Sequence, residues 1–445
     1  MHASSLRKHL PTSCKKVLLA VYDWYCWKFY YKYLNQCHQR MISEAPARNA
    51  DALKQIRSLK RPIRIAFFVL FENTYKYGNL PLYLQNDKRF EPFFVICPVV
   101  NYGYKDMLER MEKAYSWAKD NWNMKIIKGF DSKTGKYIDL KKVFSPDLIF
   151  FTSPYEAQNH KKFHISYFKN TLSCYLQYGF TVGNCPNINF QEVMHNAVWK
   201  YYVDTKIAME DGRRFSYNKG INFYHAGYPA CDCYLTPNPK TNPWKIKDPK
   251  LKRVIWAPHH TINNAENLYF SNFLRYANFM TELAKRYIGK VQFIFNPHPV
   301  LQNKLDEMWG EDKRKDYYAI WENMPNSSLL TGPYQDMFMT SDAIIHDCGS
   351  FIAEYLYTGK PCLYCTNKFP IEDNYSKLGQ ECLRHYYLAA DEKEISDFID
   401  MVLREEDSKS TDRRKFVNEN LLPPNGKTAS QNIYEDLCHE FFGSN

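Results

Sequence analysis

The chain has 445 residues, of which 45% are hydrophobic and 24% are charged. This composition excludes a disordered, collagen-like or fibrous protein, and the length allows two or three domains. The net charge is +11, and residues 1–43 alone carry seven Lys and Arg residues against one acid. Charge placed in this way predicts a terminal segment that meets an anionic surface. It does not predict a basic body that holds nucleic acid, and no zinc-finger, RNP-type or helix-turn-helix signature is found.

The N-terminal residues 17–34 are apolar and aromatic but are interrupted by Asp23, Lys28 and Lys32. The run is marginal for a membrane-spanning helix and lacks a signal-peptide cleavage site. We expect residues 1–45 to form an aromatic, basic helical segment, peripheral on the anionic inner face of the cell membrane. A helix packed on the protein body is the alternative. Thirteen scattered cysteines indicate a reduced, cytoplasmic protein, and the pairs Cys231/Cys233 and Cys362/Cys365 are interpreted as buried thiols.

After the polar residues 44–62, short apolar runs alternate with stretches of helical periodicity. The pattern predicts strands at 63–70, 92–100, 147–152, 173–177, 201–204 and 223–226, with a helix at 104–121. Buried strands that alternate with helices are typical of a parallel sheet covered on both faces. Residues 62–235 are therefore predicted to form an N-terminal α/β domain.

Residues 236–250, rich in Pro, Asn, Lys and Thr, predict a linker. Beyond it, strands are predicted at 254–258, 291–296, 328–330, 342–346 and 361–365, and helices at 265–287, 334–340, 351–357, 392–404, 411–419 and 428–442. The fold class is α/β, with two doubly wound parallel-sheet, Rossmann-like domains that face a cleft. The second domain spans 251–425, and residues 426–445 form a closing helix. Ligands of such sheets bind beyond the carboxyl ends of the strands.

The first motif at such a strand end covers residues 345–356. A strand ends at Asp347, and Gly349 and Ser350 then lead into a helix that carries Glu354 one turn later. Backbone N–H groups at this turn suit a phosphate, and Gly349 allows the phosphate to approach the backbone. The alternative is a helix cap alone. Pro258, and Gly332 after another predicted strand, are assigned to the same nucleotide-binding group.

Three histidines follow two other strands of the second domain. His298 lies between two prolines, which stiffen its turn, and His259 and His260 follow Pro258. An imidazole that titrates near neutral pH can act as an acid, a base or a phosphate donor. A zinc site is conceivable, but no Cys or carboxylate stands at ligand spacing. Anion binding is therefore preferred, with no metal and no cofactor.

Two further motifs end strands of the first domain. Tyr178 and Gly179 are predicted to face the cleft after the strand at 173–177, and Asp232 follows Gly227 and Pro229 at the domain junction. A simple turn before the linker is the alternative for Asp232.

Together these motifs resemble the CDP-glycerol glycerophosphotransferase family of teichoic-acid primases and polymerases, which has a GT-B-like fold. The resemblance spans roughly residues 63–440. The family's strand ending in Ala-Pro is matched at 257–258, its Lys-x-His-Pro motif at 296–299, its Asp-Tyr-Ser-Ser motif at 347–350, its Thr-Gly-Lys-Pro turn at 358–361, and its Gly-x-Pro-Arg-x-Asp turn at 227–232.

Three side chains depart from the family's pattern. Tyr178 stands where the family's Trp-His-Gly motif has a histidine that resembles a general base, Asn296 replaces a lysine, and Ala230 replaces an arginine. The chain is thus expected to be a divergent member, with His298, His259, His260 and Tyr178 as candidate catalytic residues.

The resemblance implies metal-independent transfer of glycerol phosphate, or a similar polyol phosphate, from a CDP-linked donor. The acceptor would be a lipid-linked or polymeric hydroxyl in cell-surface polysaccharide synthesis. Two alternatives remain open at this stage: a GT-B glycosyltransferase that uses a nucleotide sugar, and a non-catalytic relative in a capsule-assembly complex.

Overall fold

The structure is a computed structural model that describes residues 31–262 and 270–443. A seven-stranded parallel sheet forms the first half, in the order β3-β2-β1-β6-β7-β8-β9. Its strands are β1 (Ile63–Val69), β2 (Phe90–Ile96), β3 (Ile126–Lys128), β6 (Leu148–Phe151), β7 (Leu172–Leu176), β8 (Lys200–Val203) and β9 (Phe223–His225). A small antiparallel hairpin of β4 (Phe130–Asp131) and β5 (Lys136–Tyr137) lies beside it.

A six-stranded parallel sheet forms the second half, in the order β12-β11-β10-β13-β14-β15. Its strands are β10 (Lys252–Ala257), β11 (Val291–Phe295), β12 (Ser327–Leu329), β13 (Ala343–His346), β14 (Cys362–Cys365) and β15 (Tyr387–Ala389). Residues 236–250 connect the two halves without a helix or strand. The predicted α/β class with two parallel sheets is confirmed.

The helices of the first half are Tyr31–Arg57, Leu80–Gln85, Tyr104–Asn121, Leu140–Val143, Val193–Ala197, Lys206–Phe215 and Asp232–Leu235. Those of the second half are Phe273–Arg286, Leu301–Trp309, Glu311–Asn323, Gln335–Thr340, Phe351–Glu354, Ile371–Asn374, Lys377–Arg384, Glu392–Arg404, Ser410–Phe416 and Ala429–Phe442. None of the helices within the described ranges combines the length and the apolarity that crossing a membrane requires.

Aromatic rings fill the cores on both sheets. Phe67 and Phe150 on neighbouring strands of the first sheet stack at a centroid distance of 5.0 Å. Trp256 on β10 stacks on Phe295 of β11 at 4.9 Å, with Trp321 beside them at 5.2 Å. The high aromatic content therefore serves these cores, where flat rings bury a large apolar area. The thiols of Cys231, Cys362 and Cys365 are buried, as predicted, whereas Cys233 is only half-buried.

The closing helix Ala429–Phe442 packs on the first half rather than on the second. Its Asp436 accepts hydrogen bonds from Lys200 Nζ at 2.6 Å and from the Tyr202 hydroxyl at 2.8 Å, all three being buried. Asp232 accepts hydrogen bonds from the N–H groups of Ala429 and Ser430 at 2.8 and 2.9 Å. This placement corrects the prediction of Asp232 in the cleft, because the buried carboxylate is occupied as the cap of the closing helix.

A second contact joins the halves near the cleft. The loop after β7 pairs with the segment that precedes the helix Lys377–Arg384: Ser376 donates through its N–H to the Val182 carbonyl at 2.8 Å, and the Asn184 N–H donates to the Asn374 carbonyl at 2.9 Å. Because these bonds join the two halves through the backbone, they fix the spacing between the two sheet edges.

Several elements differ from the sequence-based expectation. The aromatic segment 17–34 falls mainly outside the described residues, while a helix continues to Arg57 through part of the polar stretch 44–62. The predicted helix at 351–357 is a single α-turn followed by a 3-10 turn, Tyr355–Thr358. The helices Leu301–Trp309 and Glu311–Asn323 were not predicted, since their many charged residues obscure the apolar stripe; Gly310, at φ +85°, separates them.

Candidate active site

Three histidine rings from two loops meet at the edge of the second sheet. The ring centroids of His259 and His260 lie 4.2 Å apart, those of His260 and His298 lie 4.2 Å apart, and those of His259 and His298 lie 4.9 Å apart. The sequence places two of these residues after β10 and the third after β11. Since the two strands are parallel neighbours, their loops leave the same edge of the sheet.

Three hydrogen bonds hold the histidine loops in place. The Pro258 carbonyl accepts from the His298 N–H at 3.0 Å, which joins the loop after β10 to the loop after β11. Asp347 accepts from the His259 N–H at 2.6 Å through one oxygen, and from the Asn272 N–H through the other. Pro258 and Asp347 are therefore positioning residues. The predicted contact of Asp347 with phosphate is not what its geometry supports, because it is buried and both of its oxygens are occupied.

The hydrogen bonds of His298 and His259 also determine which ring nitrogen carries the proton. His298 Nδ1 accepts from the Val300 N–H at 3.2 Å. The Thr261 hydroxyl accepts from the N–H groups of Phe270 and Ser271, both at 3.2 Å, so its own hydrogen is available to His259 Nδ1 at 3.1 Å. In a neutral imidazole, a nitrogen that accepts leaves the hydrogen on the other nitrogen. Both rings are thus donors through Nε2.

Burial keeps these two rings neutral. Burial, followed by the charge of His260, lowers the pKa of His298 to about 3. Burial, with the charges of His298 and His260, also holds the pKa of His259 well below its usual value. Burial raises the pKa of Asp347 to about 7, although its two hydrogen bonds from backbone N–H groups oppose the rise. His298 and His259 therefore offer N–H donors to an anion without carrying a charge of their own near neutral pH.

The turn 348–350 lies next to the histidines. The Phe270 ring packs edge-on against His259, at a centroid distance of 5.3 Å. A Cβ on Gly349 would lie 3.6 Å from the same ring. Cys348 donates through its N–H to His346 Nδ1 at 3.1 Å, and Ser350 remains partly exposed. His298 and the turn thus share one side of the second half, joined through His259 and Phe270.

The first half faces this turn with its own predicted residues. A Cβ on Gly179 would have the Ser350 Cβ as its nearest neighbour, at 3.9 Å. The Tyr178 hydroxyl, next to it in the chain, lies 3.4 Å from the Tyr155 hydroxyl. Tyr178, Gly179 and Ser350 therefore border one gap between the halves. Tyr155 is the residue of this gap that sequence reasoning missed.

The predicted residues Glu354 and Gly332 lie apart from the histidine cluster. Glu354 is 3% exposed, and both of its oxygens accept from the Tyr334 hydroxyl, at 3.0 and 2.9 Å. Burial raises the pKa of this carboxyl. Gly332 is exposed and has φ +149°, and a Cβ added there would meet no atom within 4 Å. Neither residue is brought into contact with the histidines.

Asn272, Thr261 and Phe270 also support the site, and sequence reasoning missed all three. Asn272 donates to the Cys365 carbonyl at 2.8 Å through its side chain, so it ties the histidine loop to the end of β14. Asn272 could not be found from the sequence, because its partners Cys365 and Asp347 are distant along the chain.

Comparison with known proteins identifies the family. The model of the CDP-Glycerol:Poly(glycerophosphate) glycerophosphotransferase family matches residues 187–439, more than half of the chain. The chain belongs to this family. Membership confirms the resemblance stated from the motifs and favours glycerophosphate transfer over the sugar-transfer alternative. None of the curated proteins matches the chain.

Solved structures support the GT-B-like fold. A variant of the wall teichoic acid polymerase TagF has a TM-score of 0.56 at 13% identity, with 90% of this chain and 96% of that chain covered. A UDP-GlcNAc 2-epimerase from Methanocaldococcus jannaschii has a TM-score of 0.51 at 14% identity, covering 85% and 99%. At these identities the likeness concerns the fold alone.

Proposed function

We propose that this glycerophosphotransferase moves glycerol phosphate from CDP-glycerol to a hydroxyl of a polymeric or lipid-linked acceptor, without a metal ion. The acceptor oxygen forms a bond to the β-phosphorus, the bond from that phosphorus to the bridging oxygen breaks, and CMP leaves with the bonding electron pair. The acceptor hydroxyl gives its proton to a base. A solved TagF structure obtained from a CDPG soak has the same fold, which supports the choice of donor.

The observation that carries this proposal is the direction of the histidine hydrogens. Charge spreads over the phosphoryl oxygens in the transition state of phosphoryl transfer, and fixed donors stabilise it. His298 and His259 offer Nε2–H donors beside the turn 348–350, because the Val300 N–H holds the first ring and the Thr261 hydroxyl holds the second. His260 is the third imidazole, and we assign it as the base because the other two rings are committed as donors.

The same hydrogen bonds support the metal-independent reaction. The nitrogen atoms of the three rings lie within 4.8 Å of one another, a spacing that a metal ion could use. A ring binds a metal only through a nitrogen without hydrogen, and its other nitrogen then carries the hydrogen and donates. Here Nδ1 of both His298 and His259 faces a donor. Metal binding through Nε2 would place the Nδ1 hydrogen of His298 against the Val300 N–H, and that of His259 against the Thr261 N–H.

Association with an anionic membrane surface is part of the proposal. Its support is the net +6 charge of residues 1–43 and the aromatic content of 17–34. Interfacial helices combine such cations and rings. Pelleting with vesicles of anionic lipid should retain the full chain and release a chain that lacks residues 1–45; equal pelleting of both would contradict this part.

Product analysis by mass tests the reaction. The purified chain is incubated with a poly(glycerol phosphate) primer and, in separate samples, with CDP-glycerol, CDP-ribitol or a UDP-sugar, each with and without EDTA. We expect CMP release and primer growth by glycerol phosphate units, unchanged by EDTA.

The remaining outcomes of this experiment separate the alternatives. Growth only with the UDP-sugar would contradict the proposal in favour of a glycosyltransferase, and no product with any donor would favour a non-catalytic relative. Loss of activity in EDTA, restored by a divalent cation, would contradict the metal-independent part alone.

A further inference from the structure

A lysine of the first half points across the gap toward the second half. Lys76 follows the carboxyl end of β1, and its Nζ lies 5.9 Å from the centroid of the Tyr334 ring. Tyr334 belongs to the second half and donates to Glu354. The Lys76 ammonium therefore approaches a carboxylate that lies one helical turn beyond Ser350.

The backbone on either side of Lys76 is fixed. The Tyr77 hydroxyl donates to the Phe151 carbonyl and accepts from the Leu176 N–H, the latter at 3.1 Å. Gly78 has φ +50°, and a Cβ there would lie 2.6 Å from the Pro229 carbonyl oxygen. Only a glycine fits this close approach. Lys76 is thus held at one position on the edge of the first sheet, with a flexible side chain.

Among the described residues, the ammonium has no carboxylate at ion-pair distance. Within residues 31–262 and 270–443, no acidic oxygen lies within 4.0 Å of Lys76 Nζ. Burial raises the pKa of the Glu354 carboxyl and of the Cys231 thiol, and the positive charge of Lys76 opposes both rises. A cation near a buried anion, but not joined to it, is available to a second anion.

The charge of the donor favours a cation in the gap. The diphosphate of CDP-glycerol carries two negative charges, while His298 and His259 are neutral. The asparagine at 296 and the alanine at 230 carry no charge either. Gly78, two residues after Lys76, lies against the carbonyl of Pro229, which directly precedes Ala230, so this lysine lies near that turn.

We propose that Lys76 binds the diphosphate of the donor from the first half, and that Glu354 holds the ammonium in the gap between reaction cycles. This inference rests on the proposed function. Lys76 binds the donor at the turn 348–350 after a short rotation of its side chain, one helical turn of about 5.4 Å separating Ser350 from Glu354. Lysine is suited to this role, because its compact charge and rotatable stem adapt to phosphate oxygens.

The test measures the dissociation constant of CDP-glycerol by calorimetry for the wild type, Lys76→Met and Lys76→Arg. We expect Lys76→Met to weaken binding about 10- to 100-fold, the loss of one charge-assisted contact, and Lys76→Arg to retain most of the affinity. Lys113→Ala is the matched control: it removes a lysine of the same half that is exposed and paired with Glu72 at 2.5 Å. It should bind as the wild type does.

A double variant separates phosphate binding from simple neutralisation of Glu354. If Lys76 only compensates the buried carboxylate, Lys76→Met/Glu354→Gln should regain wild-type affinity, which would overturn the inference. If Lys76 binds phosphate, the double variant should stay weak. Wild-type affinity in Lys76→Met also overturns the inference alone, whereas a wild-type protein that does not bind CDP-glycerol refutes the proposed function itself. Thermal unfolding of each variant establishes that it is folded.

Discussion

The two sheet edges that face the gap are built in different ways. The edge of the second half is closely tied together: the Asp347 carboxylate, the Pro258 carbonyl and the Thr261 hydroxyl fix the histidine loops by hydrogen bonds. The edge of the first half offers flexible or weakly paired groups, namely the Tyr178–Tyr155 hydroxyl pair at 3.4 Å and the lysine at 76. A rigid donor array suits charge that develops at fixed atoms, and an adaptable edge suits a variable acceptor.

The family match also differs between the two halves. It begins at residue 187 and so covers the whole second sheet but leaves most strands of the first sheet outside. The three departures from the family motifs include Tyr178 on the first half, where the family has a histidine. We therefore expect the catalytic N–H donors in the second half, and the groups that face the acceptor, together with Lys76 for the donor diphosphate, in the first half.

The largest effect should follow from His298→Ala. Removal of an Nε2–H donor to the phosphoryl oxygens should lower kcat by about 10²- to 10³-fold, the range for one oxyanion donor. His38→Ala, on the helix Tyr31–Arg57 of the first half, is the control and should keep full turnover. Both are measured by CMP release. A folded His298→Ala protein with wild-type kcat would contradict the catalytic role of His298 in the second half.

A smaller and more selective effect is expected from Tyr178→Phe. The change removes one hydroxyl that faces Tyr155 and keeps the ring. We expect KM for the acceptor to rise about 5- to 10-fold, since one neutral hydrogen bond is worth roughly 1 kcal/mol, while the affinity for CDP-glycerol stays unchanged. An equal loss of affinity for CDP-glycerol would show that Tyr178 does not act on the acceptor alone. Tyr217→Phe, an exposed tyrosine elsewhere, serves as the control.

The smallest effect concerns stability against pH. Burial lowers the pKa of His298 to about 3 from its ordinary value of 6.5, so below pH 6.5 the unfolded state binds the additional proton and stability falls as the pH falls. The variant His298→Asn lacks this titration. The unfolding free energy of the wild type minus that of the variant should rise by at most about 1.4 kcal/mol per pH unit between roughly pH 4.5 and 6.5, and level above pH 7.

Urea unfolding at a series of pH values measures this difference. Asp347 has its pKa raised to about 7, so its contribution changes in the opposite direction, being lost as the pH rises. The wild type and the variant both contain Asp347. Its contribution to the unfolding free energy therefore cancels in the difference, provided that the substitution leaves the surroundings of Asp347 intact. A constant difference from pH 4.5 to 7.5 would contradict the burial of a neutral imidazole in the second half.

Much of the fold was predictable because its signals are local. The helices Tyr104–Asn121 and Glu392–Arg404 begin and end where their periodicity predicts, and the central strands lie within a few residues of prediction. Short edge strands such as Tyr387–Ala389 were missed, since three residues carry too little pattern. The sequence also placed the three histidines and Ser350 at strand ends, because a Pro or Gly marks each of those ends.

The amino-acid sequence by itself determined two parallel α/β halves, the sheet edges that carry polar motifs, and the resemblance that the family match confirmed. Only the tertiary structure decided that three imidazoles meet, that Asp347 fixes the backbone of His259, and that Asp232 accepts from the first N–H groups of a helix that begins nearly two hundred residues later. The reason is physical: periodicity and turn residues act over a few neighbouring positions, whereas a buried carboxylate takes whichever N–H groups the packing of distant elements brings to it.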